Sequence, residues 1–112
     1  MCGVIFLEQQ IQNELDLIKE SILNNVSAET IYLFGSYANG THNEDSDIDI
    51  YVVVPDDVGN LIDLQANIRM GMRKKRTKPM DLLIGTTSVF NRRKEGPTLE
   101  RVIANEGVRL YG

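Results

Sequence analysis

The run Ile48-Asp49-Ile50-Tyr51-Val52-Val53-Val54 constrains this chain more than any other stretch. It is β-branched almost throughout, which disfavours a helix and suits a pleated strand. Apolar side chains pointing both ways along it describe a central strand buried on both faces. A shorter run of the same kind, Thr30 to Phe34, precedes it and ends in Gly35-Ser36. Pro79 introduces a third, Met80 to Ile84, which Gly85 closes.

Between these strands the apolar period changes to that of a helix. Ile11, Leu15, Ile18 and Ile22 recur on one stripe behind Leu7, with Glu8, Gln12, Glu14, Lys19 and Glu20 on the other face. This predicts a helix from Glu8 to Asn24 whose apolar side packs on the core. Leu61, Leu64, Ile68 and Met72 predict a second, over 58–75. Gly71 lies inside it at a cost of about 1 kcal/mol relative to alanine, which close approach of a neighbouring element would explain. Tyr37 to Asn39 reads as one helical turn ended by Gly40, and Thr41 to Ser46 as an exposed loop. Ser88 caps a short helix running to Lys94. Leu99, Val102 and Ile103 mark another, stopped by Gly107, and Val108 to Tyr111 is a terminal strand or an extended tail. Helices alternating with strands predict an α/β sandwich around a small sheet, one domain over 1–112.

The entrance to the central strand carries chemistry. Asp47 and Asp49 are two apart, so their side chains share a side of the strand. Neighbouring carboxylates repel, and the usual remedy is a divalent cation; hard Mg²⁺ takes oxygen ligands. The Gly35-Ser36 turn offers backbone N–H groups and a hydroxyl to a phosphate chain. Carboxylates, metal and phosphate together indicate nucleotide chemistry. Asp81, one residue into an apolar strand, is either a third member of the site or a strand-start aspartate facing solvent.

Gly35-Ser36-Tyr37-Ala38-Asn39-Gly40 followed by Asp45-Ser46-Asp47-Ile48-Asp49-Ile50 resembles the signature of the minimal nucleotidyltransferases (MNT) of the DNA polymerase β superfamily. The resemblance spans roughly residues 30–111. It implies a small mixed sheet packed with helices in the polymerase β-like fold. It also implies transfer of a nucleoside monophosphate, AMP from ATP, to a hydroxyl with loss of pyrophosphate. Asp47, Asp49 and Asp81 would be the catalytic, metal-holding carboxylates for one or two Mg²⁺ ions, and Gly35 and Ser36 would position the phosphates. Small MNT proteins resemble antitoxins paired with HEPN-type RNase toxins, so a partner-protein hydroxyl such as a tyrosine is the expected acceptor. The chain's brevity implies an acceptor site borrowed from that partner or from a homodimer mate. Transfer to a small molecule, as in aminoglycoside nucleotidyltransferases, and a non-catalytic binding module are the alternatives.

Two other motif readings fail. Gly35 to Gly40 is spaced like a P-loop, but Thr41-His42 stands where lysine and a hydroxyl residue are needed. Asp45 to Asp49 starts like a calcium loop, but Ile50 replaces its turn glycine and Asp56 its bidentate glutamate. The chain also departs from its own family: Asn39 stands where many members carry an arginine able to grip phosphate. Arg69, Arg73, Lys74, Lys75, Arg76 and Lys78 are the cations available to replace it, or else a surface for an acidic partner or a solvated helix end. Tyr37 is equally a base-stacking ring or packing, His42 a loop residue facing solvent, and Arg92-Arg93-Lys94 a charged helix end.

Composition sets the outer bounds. A net charge of −4 on 112 residues argues against wholesale binding of nucleic acid. The lone cysteine, Cys2, forms no internal disulfide, so a reducing compartment is expected. The apolar opening to Leu7 lacks the basic start of a signal peptide, and no run approaches the ~20 apolar residues that span a bilayer. The expectation is a soluble cytoplasmic protein.

Overall fold

A computed structural model describes residues 9–43, 45–72 and 78–112. Cys2 to Glu8 and the basic residues Arg73, Lys74, Lys75 and Arg76 lie outside them. In chain order the elements are α1 (Gln9–Asn25), β1 (Thr30–Phe34), α2 (Ser36–Asn39), β2 (Ile48–Val54), α3 (Leu61–Gly71), β3 (Met80–Thr86), α4 (Thr87–Arg93), α5 (Leu99–Glu106) and β4 (Val108–Tyr111). The strands form one mixed sheet in the order β3-β2-β1-β4. β1 runs antiparallel to both β2 and β4, whereas β2 and β3 are parallel. A parallel pair needs a long crossover, and α3 supplies it.

Period-two alternation divides the core between two faces. Ile48, Ile50, Val52 and Val54 join Ile31, Leu33 and Leu82 under α1 and α3. Tyr51 and Val53 point the other way and join Tyr32, Phe90 of α4 and Ile103 of α5. β2 is therefore covered on both sides, as its composition requires, and β4 is a paired strand rather than a loose tail.

Several boundaries differ from the sequence reading. α3 begins at Leu61, not Val58, because the Asn60 side chain accepts from the N–H groups of Ile62 (2.9 Å) and Asp63 (3.1 Å). β3 runs through Gly85 to Thr86, since its parallel pairing continues to Val54↔Thr86. Gly85 stays in the strand because a Cβ there would strike the Tyr51 hydroxyl. Ser88 is not a cap: it lies within α4, and its N–H donates to the Asp56 carboxylate at 3.0 Å. Glu14 is buried rather than on the polar face, its carboxylate accepting from the Lys78 backbone N–H at 3.0 Å. Gly71 does mark a close approach, for a Cβ there would lie 2.8 Å from Ser21 Oγ. That hydroxyl donates to Ile68 O at 2.8 Å, tying α1 to the last turn of α3.

Candidate active site

The site is assembled by strand register. Phe34 pairs with Asp49 across β1 and β2, and Asp49 pairs with Asp81 across β2 and β3. The turn after β1 and the first residues of β2 and β3 thus converge at one end of the sheet. Paired residues on adjacent strands point to the same face, so the carboxylates of Asp49 and Asp81 meet on the α4/α5 side.

Gly35 makes the turn possible. Its φ of 75° and ψ of −151° lie in a region that only glycine enters readily. Its carbonyl accepts from Ala38 and Asn39, both at 3.1 Å, which starts α2 immediately. Gly40, in the left-handed conformation, ends α2 as the sequence indicates, its N–H donating to Ser36 O. The Gly35 backbone also abuts the carboxylate: a Cβ on Gly35 would collide with Asp49 Oδ2.

Asp49 is partly buried, while Asp47 and Asp81 are exposed. Burial raises the Asp49 pKa first, then the charge of Asp81, the charge of Asp47 and a side-chain hydrogen bond with Asp81. Every one of these causes disfavours the carboxylate. Asp49 and Asp81 are paired neighbours across β2 and β3, and Asp47 acts on Asp49 through its charge. Among the described residues, no set of three or more His, Cys, Asp or Glu forms a cage for a metal by itself. The donors present suit a hard cation held by one or two carboxylates and completed by substrate phosphate oxygens.

The other residues singled out in the sequence fall around this centre. Tyr37 is packing, not an open stacking platform: it is 1% exposed. His42 is not free in solvent but stacked on Tyr37 at 4.3 Å, with its Nδ1 buried and unpartnered. Lys78 reaches over the Tyr37 ring, 6.0 Å from its centroid. Arg69 donates to Met80 O at 3.3 Å and Gln65 to Leu82 O at 2.5 Å, so α3 covers carbonyls on the outer edge of β3. Arg93 is more than a charged helix end, for its Nε bonds Glu100 Oε1 at 3.0 Å.

Sequence reasoning missed two features. The Tyr51 hydroxyl donates to Glu100 Oε2 at 3.1 Å, so Glu100 links Arg93 to the sheet beneath α5. Burial pushes the Tyr51 hydroxyl pKa far up, as does the Glu100 charge. Burial opposes the Glu100 charge too, but bonds from Arg93, the backbone and Tyr51 outweigh it and hold that carboxyl below its usual range. The position of Glu100 three residues before Ile103, on the inward face of α5, was the available signal. The second feature is a cavity of about 290 Å³ between α2 and α5, walled by Phe34, Gly35, Ala38, Leu99 and Val102 with Asn39 and Glu106 beside them. It arises where distant segments meet and leaves no local trace.

Comparison with known proteins places the fold in a family. Residues 15–110 match the family described as Nucleotidyltransferase domain. Over 100 residues (89% of the chain) the sequence is 30% identical to the protein adenylyltransferase MntA of Shewanella oneidensis, spanning 66% of that protein's length. Over 104 residues (93% of the chain) it is 30% identical to a Methanocaldococcus jannaschii protein named "Putative protein adenylyltransferase", spanning 97% of it. The fold superposes on a crystal structure of a toxin-antitoxin with AMP-PNP with a TM-score of 0.55 and 26% identity, covering 89% of this chain and 73% of that one.

Proposed function

The chain belongs to the nucleotidyltransferase domain family, and from that premise we propose that it transfers AMP from ATP, with Mg²⁺, to a hydroxyl of a partner protein. The observation that carries the reading is the Asp49–Asp81 pair set against the Gly35 backbone, neighbouring carboxylates beside a Gly-Ser turn. Both relatives described above are named as protein adenylyltransferases, which favours AMP and a protein acceptor. The toxin-antitoxin neighbour with AMP-PNP favours a toxin as that acceptor and an antitoxin role for this chain, and the resemblance to small MNT proteins makes that toxin HEPN-type.

Asp47, Asp49 and Asp81 would hold Mg²⁺, which when bound offsets negative charge on the phosphates and on the oxygens entering and leaving phosphorus. The backbone at Gly35 and the Ser36 hydroxyl orient the β- and γ-phosphates. Asp81, exposed like Asp47, accepts the proton of the attacking hydroxyl. That hydroxyl oxygen bonds the α-phosphorus, the bond from phosphorus to the bridging oxygen breaks, and pyrophosphate carries away the electron pair. Positioning and electrostatics are most of what such a displacement asks of a protein.

The test is incorporation of label from α-phosphate-labelled ATP in an extract of the source cells, beside the Asp47→Asn/Asp49→Asn variant. A labelled protein band that vanishes in the variant is expected. Label confined to a small soluble product would replace the protein acceptor with a small molecule. A double variant that still neutralises its partner would refute catalysis in favour of neutralisation by binding.

A further inference from the structure

We propose that the cavity between α2 and α5 receives the nucleoside half of the substrate and selects bases bearing an exocyclic amino group. This rests on the nucleotidyl-transfer reading above. Gly35 is the link: it walls the cavity and its backbone abuts Asp49 Oδ2, so cavity and carboxylates are adjoining compartments of one site.

The reaction's geometry limits what can occupy the cavity. In an in-line displacement the attacking and leaving oxygens stand on opposite sides of phosphorus. The sheet order β3-β2-β1 puts Gly35 on one side of Asp49 and Asp81 on the other. With the leaving pyrophosphate over the Gly35-Ser36 turn, the acceptor approaches from the Asp81 side, away from the cavity. The remaining occupants are the polyphosphate tail and the nucleoside. None of the cavity-lining residues is basic, Glu106 adds a negative charge, and Phe34, Ala38, Leu99 and Val102 give apolar walls. Such a lining repels polyphosphate and suits a planar base, and about 290 Å³ is near the lower end of small-ligand sites.

The two polar residues supply the selection. Glu106 accepts hydrogen bonds only and so favours a base that offers an amino group. The Asn39 side-chain carbonyl is already engaged, accepting from the Thr41 N–H at 3.2 Å and the Thr41 hydroxyl at 2.6 Å. That leaves the Asn39 amide N–H groups to donate. One acceptor and one donor match the amino group and ring nitrogen of adenine, whereas uracil presents carbonyls toward Glu106. Asn39 thus becomes a base-reading residue.

Calorimetric titration with Mg²⁺-ATP, Mg²⁺-UTP and Mg²⁺-tripolyphosphate tests this on three proteins. Val102 is 48% exposed, so Val102→Trp can fill the cavity from its rim without entering the core. That variant should lose about tenfold in ATP affinity and keep its tripolyphosphate affinity. Glu106→Gln, at an exposed helix end, should narrow the preference for ATP over UTP by about tenfold. Thermal melts establish that both variants fold. Equal loss of ATP and tripolyphosphate in Val102→Trp, or loss of neither, overturns the assignment. So does a wild type that binds ATP no better than tripolyphosphate, a result that leaves the phosphate site standing. A wild type that binds neither refutes the nucleotidyl-transfer reading itself and the cavity assignment with it.

Discussion

Gly35→Ala is the sharpest perturbation of the site. Two separate penalties meet at this residue. The backbone conformation, φ 75° and ψ −151°, costs a residue bearing a Cβ about 1–3 kcal/mol. The added methyl would also collide with Asp49 Oδ2, so the carboxylate must turn away or the turn must back off. A domain of this size has roughly 5–15 kcal/mol of stability, so the variant remains folded with a Tm lowered by about 4–12 °C. Activity should fall much further, because displacing a reacting group by about 1 Å costs on the order of a hundredfold. Gly40→Ala is the internal control. Gly40 also has positive φ, at 80°, but nothing lies within 4 Å of its would-be Cβ. It should lose about 1–2 kcal/mol and keep its AMP-transfer rate within about twofold. The measurements are thermal unfolding by circular dichroism and initial rates of label transfer. Adding Asp49→Ala supplies a cycle: it should stabilise the Gly35→Ala protein more than the wild type, by about 1 kcal/mol. A Gly35→Ala enzyme as fast as Gly40→Ala, or a strictly additive cycle, would refute the claim that the close approach positions Asp49.

Four further outcomes follow from named contacts. Asp49→Asn should stabilise the metal-free protein at neutral pH by up to about 1 kcal/mol, since it removes a like-charge pair across β2 and β3. The sign follows from the raised Asp49 pKa: its favourable contribution is fully present below the ordinary value of 3.8 and lost as pH rises through the folded-state value. Urea unfolding of wild type and variant should therefore diverge on going from about pH 3 to about pH 7, and a gap unchanged with pH would contradict the cause assigned. Glu100→Ala leaves the Tyr51 hydroxyl and Arg93 without their partner and should cost about 1–3 kcal/mol in urea unfolding. Gly85→Ala should also destabilise, and Tyr51→Phe should restore part of that loss because the methyl meets the Tyr51 hydroxyl; no restoration would place the clash elsewhere. Gly71→Ala gains up to about 1 kcal/mol in helix propensity yet crowds Ser21 Oγ, so it should destabilise alone and become neutral or better in a Ser21→Ala background.

What the sequence disclosed follows a physical division. Features repeated along the chain were legible: the stripe Ile11, Leu15, Ile18, Ile22, the β-branched run over 48–54, and the helix stops at Gly40 and Gly107. Features depending on which segments meet were not. Helical spacing sets Glu100 beside Ile103 but sets Glu106 there as well, and only the partners Lys78, Arg93 and Tyr51 show that Glu14 and Glu100 turn inward while Glu20 and Glu106 stay exposed. Ser88 looked like a cap because the competing acceptor, Asp56, comes from another loop. Gly85 looked like a strand stop because glycine usually interrupts a strand, and only the Tyr51 hydroxyl across the sheet shows why it continues one.

The strand directions themselves are part of the chemistry. Antiparallel pairing puts the end of β1 beside the start of β2, so the Gly35-Ser36 turn arrives at Asp49. Parallel pairing puts the start of β3 at the same end, so Asp81 arrives there too. An antiparallel β3 keeping the same span would set Asp81 opposite Val53, about 13 Å from Asp49 along the strand. Asp81 would then no longer raise the Asp49 pKa. The α3 crossover, with Gln65 and Arg69 bonded to the outer carbonyls of β3, is what holds the parallel arrangement. Charge repulsion at Asp49 therefore works against the direction the crossover imposes. On the reading proposed above, a fold that sets Asp49 and Asp81 side by side against that repulsion is arranged for a ligand that brings a cation.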